Sequence, residues 1–195
     1  MKKFFKKAFI FIALGAMSLT TTSCDSDTVQ EIVSMLITNL TNLNGQTYQY
    51  QCQGKAEVLT MNAAGEYNTS GVSQFNGVFS VRYSGATANV TVPAMKIGNV
   101  DMSLVTISGL ALTAQNNYTS ISVPDTGVNG EGSITVDGKT YQLSNIFVEE
   151  GTHTNQIEAT ATSQNLSFKT FQLFFGDNYE YVVSLTTVSG EALTQ

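Results

Sequence analysis

Tryptophan is absent from these 195 residues, histidine occurs once, and cysteine and proline occur twice each. Each shortage closes off a chemistry. The single histidine, His153, cannot build a multi-histidine metal site and leaves no spare base for a Ser-His-Asp triad. Without tryptophan, a sugar-stacking platform lacks its favoured ring. Charged residues make up only 12% of the chain, and acids outnumber bases 15 to 9. An acidic surface repels phosphate backbones, which excludes nucleic acid as a partner. Beyond residue 19 there is no long apolar run, so no transmembrane helix is expected.

The one apolar run that is present lies at the N-terminus. Lys2, Lys3, Lys6 and Lys7 precede apolar residues from Ala8 to Leu19, and Thr20-Thr21-Thr22-Ser23 lead to Cys24. This is the layout of a secretory signal peptide. Thr22 and Ser23 are small, as a lipobox requires before the cysteine whose thiol takes the lipid. The usual leucine three residues before the cysteine is replaced by Thr21, and the nearest leucine is Leu19. The expectation is a leader over residues 1–23 and lipidation of Cys24. Asp25-Ser26-Asp27 resembles the surface-export signal of Bacteroidetes lipoproteins. That resemblance implies an outer-membrane protein, lipid-anchored and facing the cell surface, with the periplasmic face as the alternative. Asp27-Thr28-Val29 resembles a short O-glycosylation motif of the same bacteria, which makes Thr28 a candidate site.

Loss of the leader removes four lysines and no acid, leaving 172 residues with a net charge of −10. That length suits one domain with a substantial core. With Cys24 lipidated, Cys52 stands alone, so no internal disulfide can form, and a buried thiol is the expectation. From Ser26 to Leu40, Val29, Ile32, Val33, Leu36, Ile37 and Leu40 follow three- and four-residue steps, which predicts an amphipathic helix. Residues 24–45 then form a tether and helix, and 46–195 the main domain.

After Gly45 the period becomes two. Tyr48, Tyr50, Cys52, Ala56 and Val58 alternate with Thr47, Gln49, Gln51, Lys55 and Glu57. Residues 62–74 read as a polar connection. Phe75, Gly77, Phe79, Val81 and Tyr83 share one face of a second strand, and Ser84-Gly85 turns into Ala88, Val90 and Val92. Pro93 ends that alternation. From Met102 to Leu112 both faces carry apolar residues, which predicts a central, doubly covered strand. Residues 124–132 read as a glycine-rich loop. Asp137-Gly138 is a strong hairpin signal, and Gly176-Asp177-Asn178 separates two closing strands. Roughly ten short strands at near-regular spacing predict an all-β antiparallel barrel of about 8–10 strands, with a β-sandwich as the alternative.

Phe79-Ser80-Val81-Arg82-Tyr83, Met95-Lys96-Ile97-Gly98-Asn99-Val100 and Val105-Thr106-Ile107-Ser108-Gly109-Leu110 follow a lipoprotein leader. In this pattern, over residues 46–188, the chain resembles the calycin-like lipoproteins of gut Bacteroidetes, which are likened to lipocalins and fatty-acid-binding proteins. The Gly-x-Trp signature of lipocalins is missing with its tryptophan. The resemblance implies a barrel that holds a small ligand, and it carries no catalytic residues, metal or cofactor.

Three other stretches invite chemistry. Asp125-Thr126-Gly127 spells the aspartic-protease triplet, but that mechanism needs two aspartates and only one copy exists. Asp125, Asn129, Gly130 and Glu131 resemble the start of a calcium loop, whose terminal glutamate position is Val136. Glu149-Glu150 are neighbours in a polar loop, whereas a glycosidase pair faces across a cleft. The expectation is therefore a non-enzyme. It would bind a small apolar or amphipathic ligand on the inward face formed by Tyr48, Tyr50, Cys52, Phe79, Val81 and Tyr83. Core packing is the competing explanation for that face. The alternative function is a cell-surface interaction, adhesion or glycan-binding module with no internal ligand.

Overall fold

The computed structural model describes residues 43–115, 117–144 and 156–193. The expected helix, Cys24, Thr28, Glu149, Glu150 and His153 lie outside the described residues. The chain forms a closed eight-stranded antiparallel barrel with a small four-stranded sheet at one end. The barrel strands are β1 (Thr47–Met61), β2 (Tyr67–Ser84), β3 (Thr87–Val92), β6 (Val105–Ala114), β7 (Thr119–Ser122), β11 (Gln156–Ala161), β12 (Asn165–Phe175) and β13 (Tyr181–Ala192). Each pairs with the next in that order, and β13 returns to β1, so the barrel is a meander. The pairing of β3 with β6 closes the wall, which excludes a sandwich of two separate sheets.

Two insertions interrupt the meander. One is the hairpin β4 (Met95–Ile97) and β5 (Val100–Met102); the other holds β8 (Asn129–Glu131), β9 (Ser133–Val136) and β10 (Lys139–Gln142). β8 pairs with the start of β6, and β5 pairs with β9 to form the sheet β10-β9-β5-β4. Ile97, Val100, Met102 and Ile134 from this small sheet are buried in the same core as the barrel residues. It caps the end where β12 finishes and β13 begins, through the Leu143–Phe175 bridge and the Gly176 N–H donated to the Gln142 carbonyl. Leu43 and Leu193 lie at the opposite end, where the Leu193 N–H donates to the Gln49 carbonyl and the Gly45 N–H to the Tyr83 carbonyl.

Alternation explains most of the burial. In β1, Tyr50, Cys52, Ala56 and Val58 are buried, while Gln49, Gln51 and Gln53 are exposed. At the β9–β10 hairpin both Asp137 (φ 49°) and Gly138 (φ 80°) take positive φ, as a tight two-residue turn demands. An aromatic chain, Phe75–Phe79–Phe168–Phe171, crosses the interior with ring centroids 5.9, 5.7 and 5.3 Å apart. Fully burying each such ring stabilises the fold by about 1.5–3 kcal/mol.

The structure corrects three expectations. Residues 67–74 are not a connection: they begin β2, which runs 18 residues. Their inward side chains near Phe75 are Gly71 and Ser73, while the apolar Val72 points outward, so no apolar period betrays the strand. The doubly apolar stretch 102–112 is not one covered strand. Met102 belongs to the small sheet, Leu104 is exposed, and Gly109 (φ 87°) makes a bulge in β6. The extra residue lets Ile107 and Leu110, three apart, both point inward. The glycine-rich loop holds a strand of its own, β8.

Candidate functional site

The six inward residues expected on β1 and β2 do come together. The register sets Tyr48 opposite Val81, Tyr50 opposite Phe79 and Cys52 opposite Gly77. The Tyr48 and Tyr50 rings stack at 6.2 Å, and Tyr48 meets Tyr83 edge-on at 5.9 Å. The Tyr50 hydroxyl donates to the Thr162 carbonyl at 2.6 Å and lies 3.4 Å from the Tyr83 hydroxyl. Its one proton is thereby used, so Tyr83 is the donor between the two phenols. Burial pushes the Tyr50 hydroxyl far above the ordinary phenol range, and the neighbouring Tyr83 adds to this. Burial likewise raises Tyr83 to about 12 and the Cys52 thiol to about 12. These groups are held neutral, as a packed interior requires and a nucleophile does not.

Space decides what this patch can do. A void large enough for water would expose the side chains that border it. Tyr50, Cys52, Phe79 and Val81 are 0% exposed and Tyr83 is 1% exposed. Around Cys52 the packing is so close that a Cβ placed on Gly190 would sit 2.4 Å from its sulfur. Five of the six side chains therefore fill the barrel where they stand. Only Tyr48 is half-buried and borders open space.

That open space is a shallow groove of about 550 Å³ on the rim that carries Leu193. Tyr48 and Gln49 line it from β1, Ser163 and Gln164 from the β11–β12 turn, Asn165 from the start of β12, and Glu191, Ala192 and the following Leu193 from the end of β13. One phenol ring, three amides, a hydroxyl and a carboxylate share this lining with Ala192 and Leu193, so the groove is mixed polar and apolar. The sequence reasoning missed this groove. Its parts come from three distant segments, and only the closure of β13 on β1 joins them. It also missed a tyrosine pair at the capped end. Tyr141 and Tyr181 lie 4.6 Å apart edge-on, with the Lys139 ammonium 4.7 Å above the Tyr141 ring. Burial, with a hydrogen bond to Tyr141 next, pushes the Tyr181 hydroxyl up to about 12.

Of the remaining sequence candidates, Asp125, Asn129 and Glu131 lie within the described residues. Asp125 is exposed in a turn in which the Gly127 N–H donates to the Pro124 carbonyl. Asn129 and Glu131 belong to β8, paired with Ser108 and Thr106. Among the described residues no three histidine, cysteine or acidic side chains gather as a metal site. No known family, no curated protein and no solved structure matches this chain.

Proposed function

We propose that this chain is a lipoprotein of the outer membrane, anchored through Cys24 at the cell surface, that binds a glycan or surface protein through its exterior and catalyses nothing. The observation that carries the choice is the filled interior: five of the six side chains expected to line a cavity leave no water-sized space beside them. An eight-stranded closed meander agrees with the calycin-like resemblance at the level of architecture. Fold alone does not assign a ligand. The rim groove offers an exterior ligand amide, hydroxyl and carboxylate groups beside apolar surface.

A small amphipathic ligand is the second reading, and one observation favours it. Tyr48 borders the groove and stacks on Tyr50, so a ligand seated there would touch the aromatic core. A lipophilic dye and a glycan array separate the two. The exterior reading expects no dye uptake by the native protein and array binding that is lost on Asn165→Ala or Glu191→Ala. Dye binding that disappears in Tyr48→Ala, with an array blank throughout, would reverse the preference. The anchor has its own test. Label from a fatty-acid analogue should be lost in Cys24→Ala; retained label would sink the lipoprotein assignment without touching the fold.

A further inference from the structure

The chain enters the barrel at its uncapped end, and the way it enters says what covers that end. Leu43 has helical backbone, and Gly45 (φ 79°) then takes the left-handed conformation that ends a helix. This corner is held to β2 by three hydrogen bonds. The Gly45 N–H donates to the Tyr83 carbonyl, the Tyr83 N–H to the Gln46 carbonyl, and the Gly85 N–H to the Asn44 Oδ1 at 2.7 Å. The Leu43 side chain is 6% exposed and belongs to the barrel core.

The layer beneath it is aromatic. Tyr50 reaches from β1 to the Thr162 carbonyl in the β11–β12 turn, with the Tyr83 hydroxyl beside its own. Both rings are 0–1% exposed although they stand near the rim. Rings so close to a barrel end stay dry only under a cover, and Tyr48 and Leu43 are part of one. Farther out, Tyr118 in the β6–β7 connection is 44% exposed and Leu193 after β13 is 40% exposed. They stand on opposite sides of the mouth, flanking the path from β2 across to β11.

We propose that the apolar stripe from Val29 to Leu40 lies across this mouth along that path, with Leu43 as its last contact. Leu43 follows Leu40 by three residues and Leu36 by seven, so it prolongs the stripe on the same helical face. A face seated on the core at Leu43 turns its upstream members toward the barrel. The lengths agree as well. Eight strands about 4.8 Å apart, at the usual tilt, enclose a mouth roughly 16 Å wide, and a helix rises about 17 Å from Val29 to Leu40. A segment joined to the barrel at Leu43 also meets the mouth at a higher effective concentration than any second molecule. A lipid surface is the poorer occupant, because residues 26–40 hold no lysine or arginine to meet anionic headgroups. The inference rests neither on the lipid anchor nor on the binding role above.

Tyrosine nitration by tetranitromethane, resolved by residue on the full chain, reads the cover. Leu36→Lys with Leu40→Lys should raise nitration of Tyr83 several-fold and leave Tyr141, at the capped end, as it was. Ser34→Lys with Thr38→Lys puts the same charge on the opposite helical face and should change neither tyrosine. Tyr83 as protected in the stripe pair as in the parent overturns the proposal, and so does equal exposure in the polar-face pair. Loss of binding to phosphatidylethanolamine–phosphatidylglycerol vesicles in the stripe pair, with Tyr83 still protected, overturns it in favour of the membrane. Hydrogen exchange on the unaltered chain, without vesicles, gives a readout that misfolding of a variant cannot blur. Amides from Ile32 to Leu40 should exchange about a hundredfold more slowly than in a synthetic peptide of residues 26–43, because an isolated helix of this length is marginal in water. Equal rates in chain and peptide overturn the proposal.

Discussion

The two halves of β2 follow one alternation and reach different ends. From Phe79 to Tyr83 the strand has β1 on one side and β3 on the other, and its inward residues are 0–1% exposed. From Asn68 to Gly77 it has β1 alone, its inward residues are Gly71, Ser73, Phe75 and Gly77, and all four keep some exposure. The first half is a barrel wall with a packed inner face. The second is a ledge whose inner face is covered by the Pro93–Gly98 segment, seated where glycines leave room. Side-chain volume on one face and a single proline just after the neighbouring strand decide which half is closed.

The largest expected effect lies in the closed half. Phe79→Ala removes the ring that links Phe75 to Phe168 and leaves a cavity no neighbour can fill without moving. Such a truncation costs about 3–5 kcal/mol. Urea unfolding should show the midpoint falling with the slope preserved. A loss below about 1 kcal/mol would mean the interior is looser than its burial implies.

Alkali tests the closed half by chemistry. Tyr50, Cys52 and Tyr83 all bury their neutral forms there. Their folded pKa values are raised, so the unfolded chain releases protons first as pH rises. The stability they contribute is fully present below about pH 9 and is lost as pH climbs toward about 12, the value to which burial raises Cys52 and Tyr83. A drop of a few kcal/mol over that window is expected, at about 1.4 kcal/mol per pH unit for each unequal proton. Cys52→Ala should delay its onset. Stability flat to pH 12 would show that these groups ionise without unfolding.

How much of this was legible beforehand follows the same division. Tyr50, Cys52, Phe79 and Val81 announced their direction because large apolar residues alternate with polar ones. Asp137-Gly138 announced a hairpin through backbone chemistry alone. The ledge was silent, since glycine and serine on the inner face carry no hydropathy signal. The bulge at Gly109 disguised an ordinary strand as a doubly apolar one. The rim groove was not legible in any window, because pairing between Gln51 and Glu191 brings together residues 140 positions apart.

The ledge can be probed at the seam itself. Gly77→Ala adds a methyl 2.8 Å from the Pro93 ring, closer than real contacts allow. Either the ring shifts or the strand does, and overpacking of this kind costs about 1–3 kcal/mol. Pairing Gly77→Ala with Pro93→Ala should recover part of the loss, because the obstructing ring is then gone. If the double variant is no more stable than the sum of the single changes predicts, the two positions are not in contact and the ledge is held by something else.

The smallest effect belongs to the outer face of the ledge. Val72 is 47% exposed, and threonine keeps its branched shape and its preference for extended backbone. Val72→Thr removes little buried apolar area, so stability should change by no more than about 0.5 kcal/mol. The same exchange at Val81, which is 0% exposed in the closed half, buries a hydroxyl where the surrounding core is apolar and should cost about 1–3 kcal/mol. The two substitutions are chemically identical and lie on one strand, nine residues apart, so their difference reads burial alone. Urea midpoints make the comparison. Equal losses at the two sites would mean that the ledge is packed against a surface of its own, and the contrast between the halves of β2 would fall.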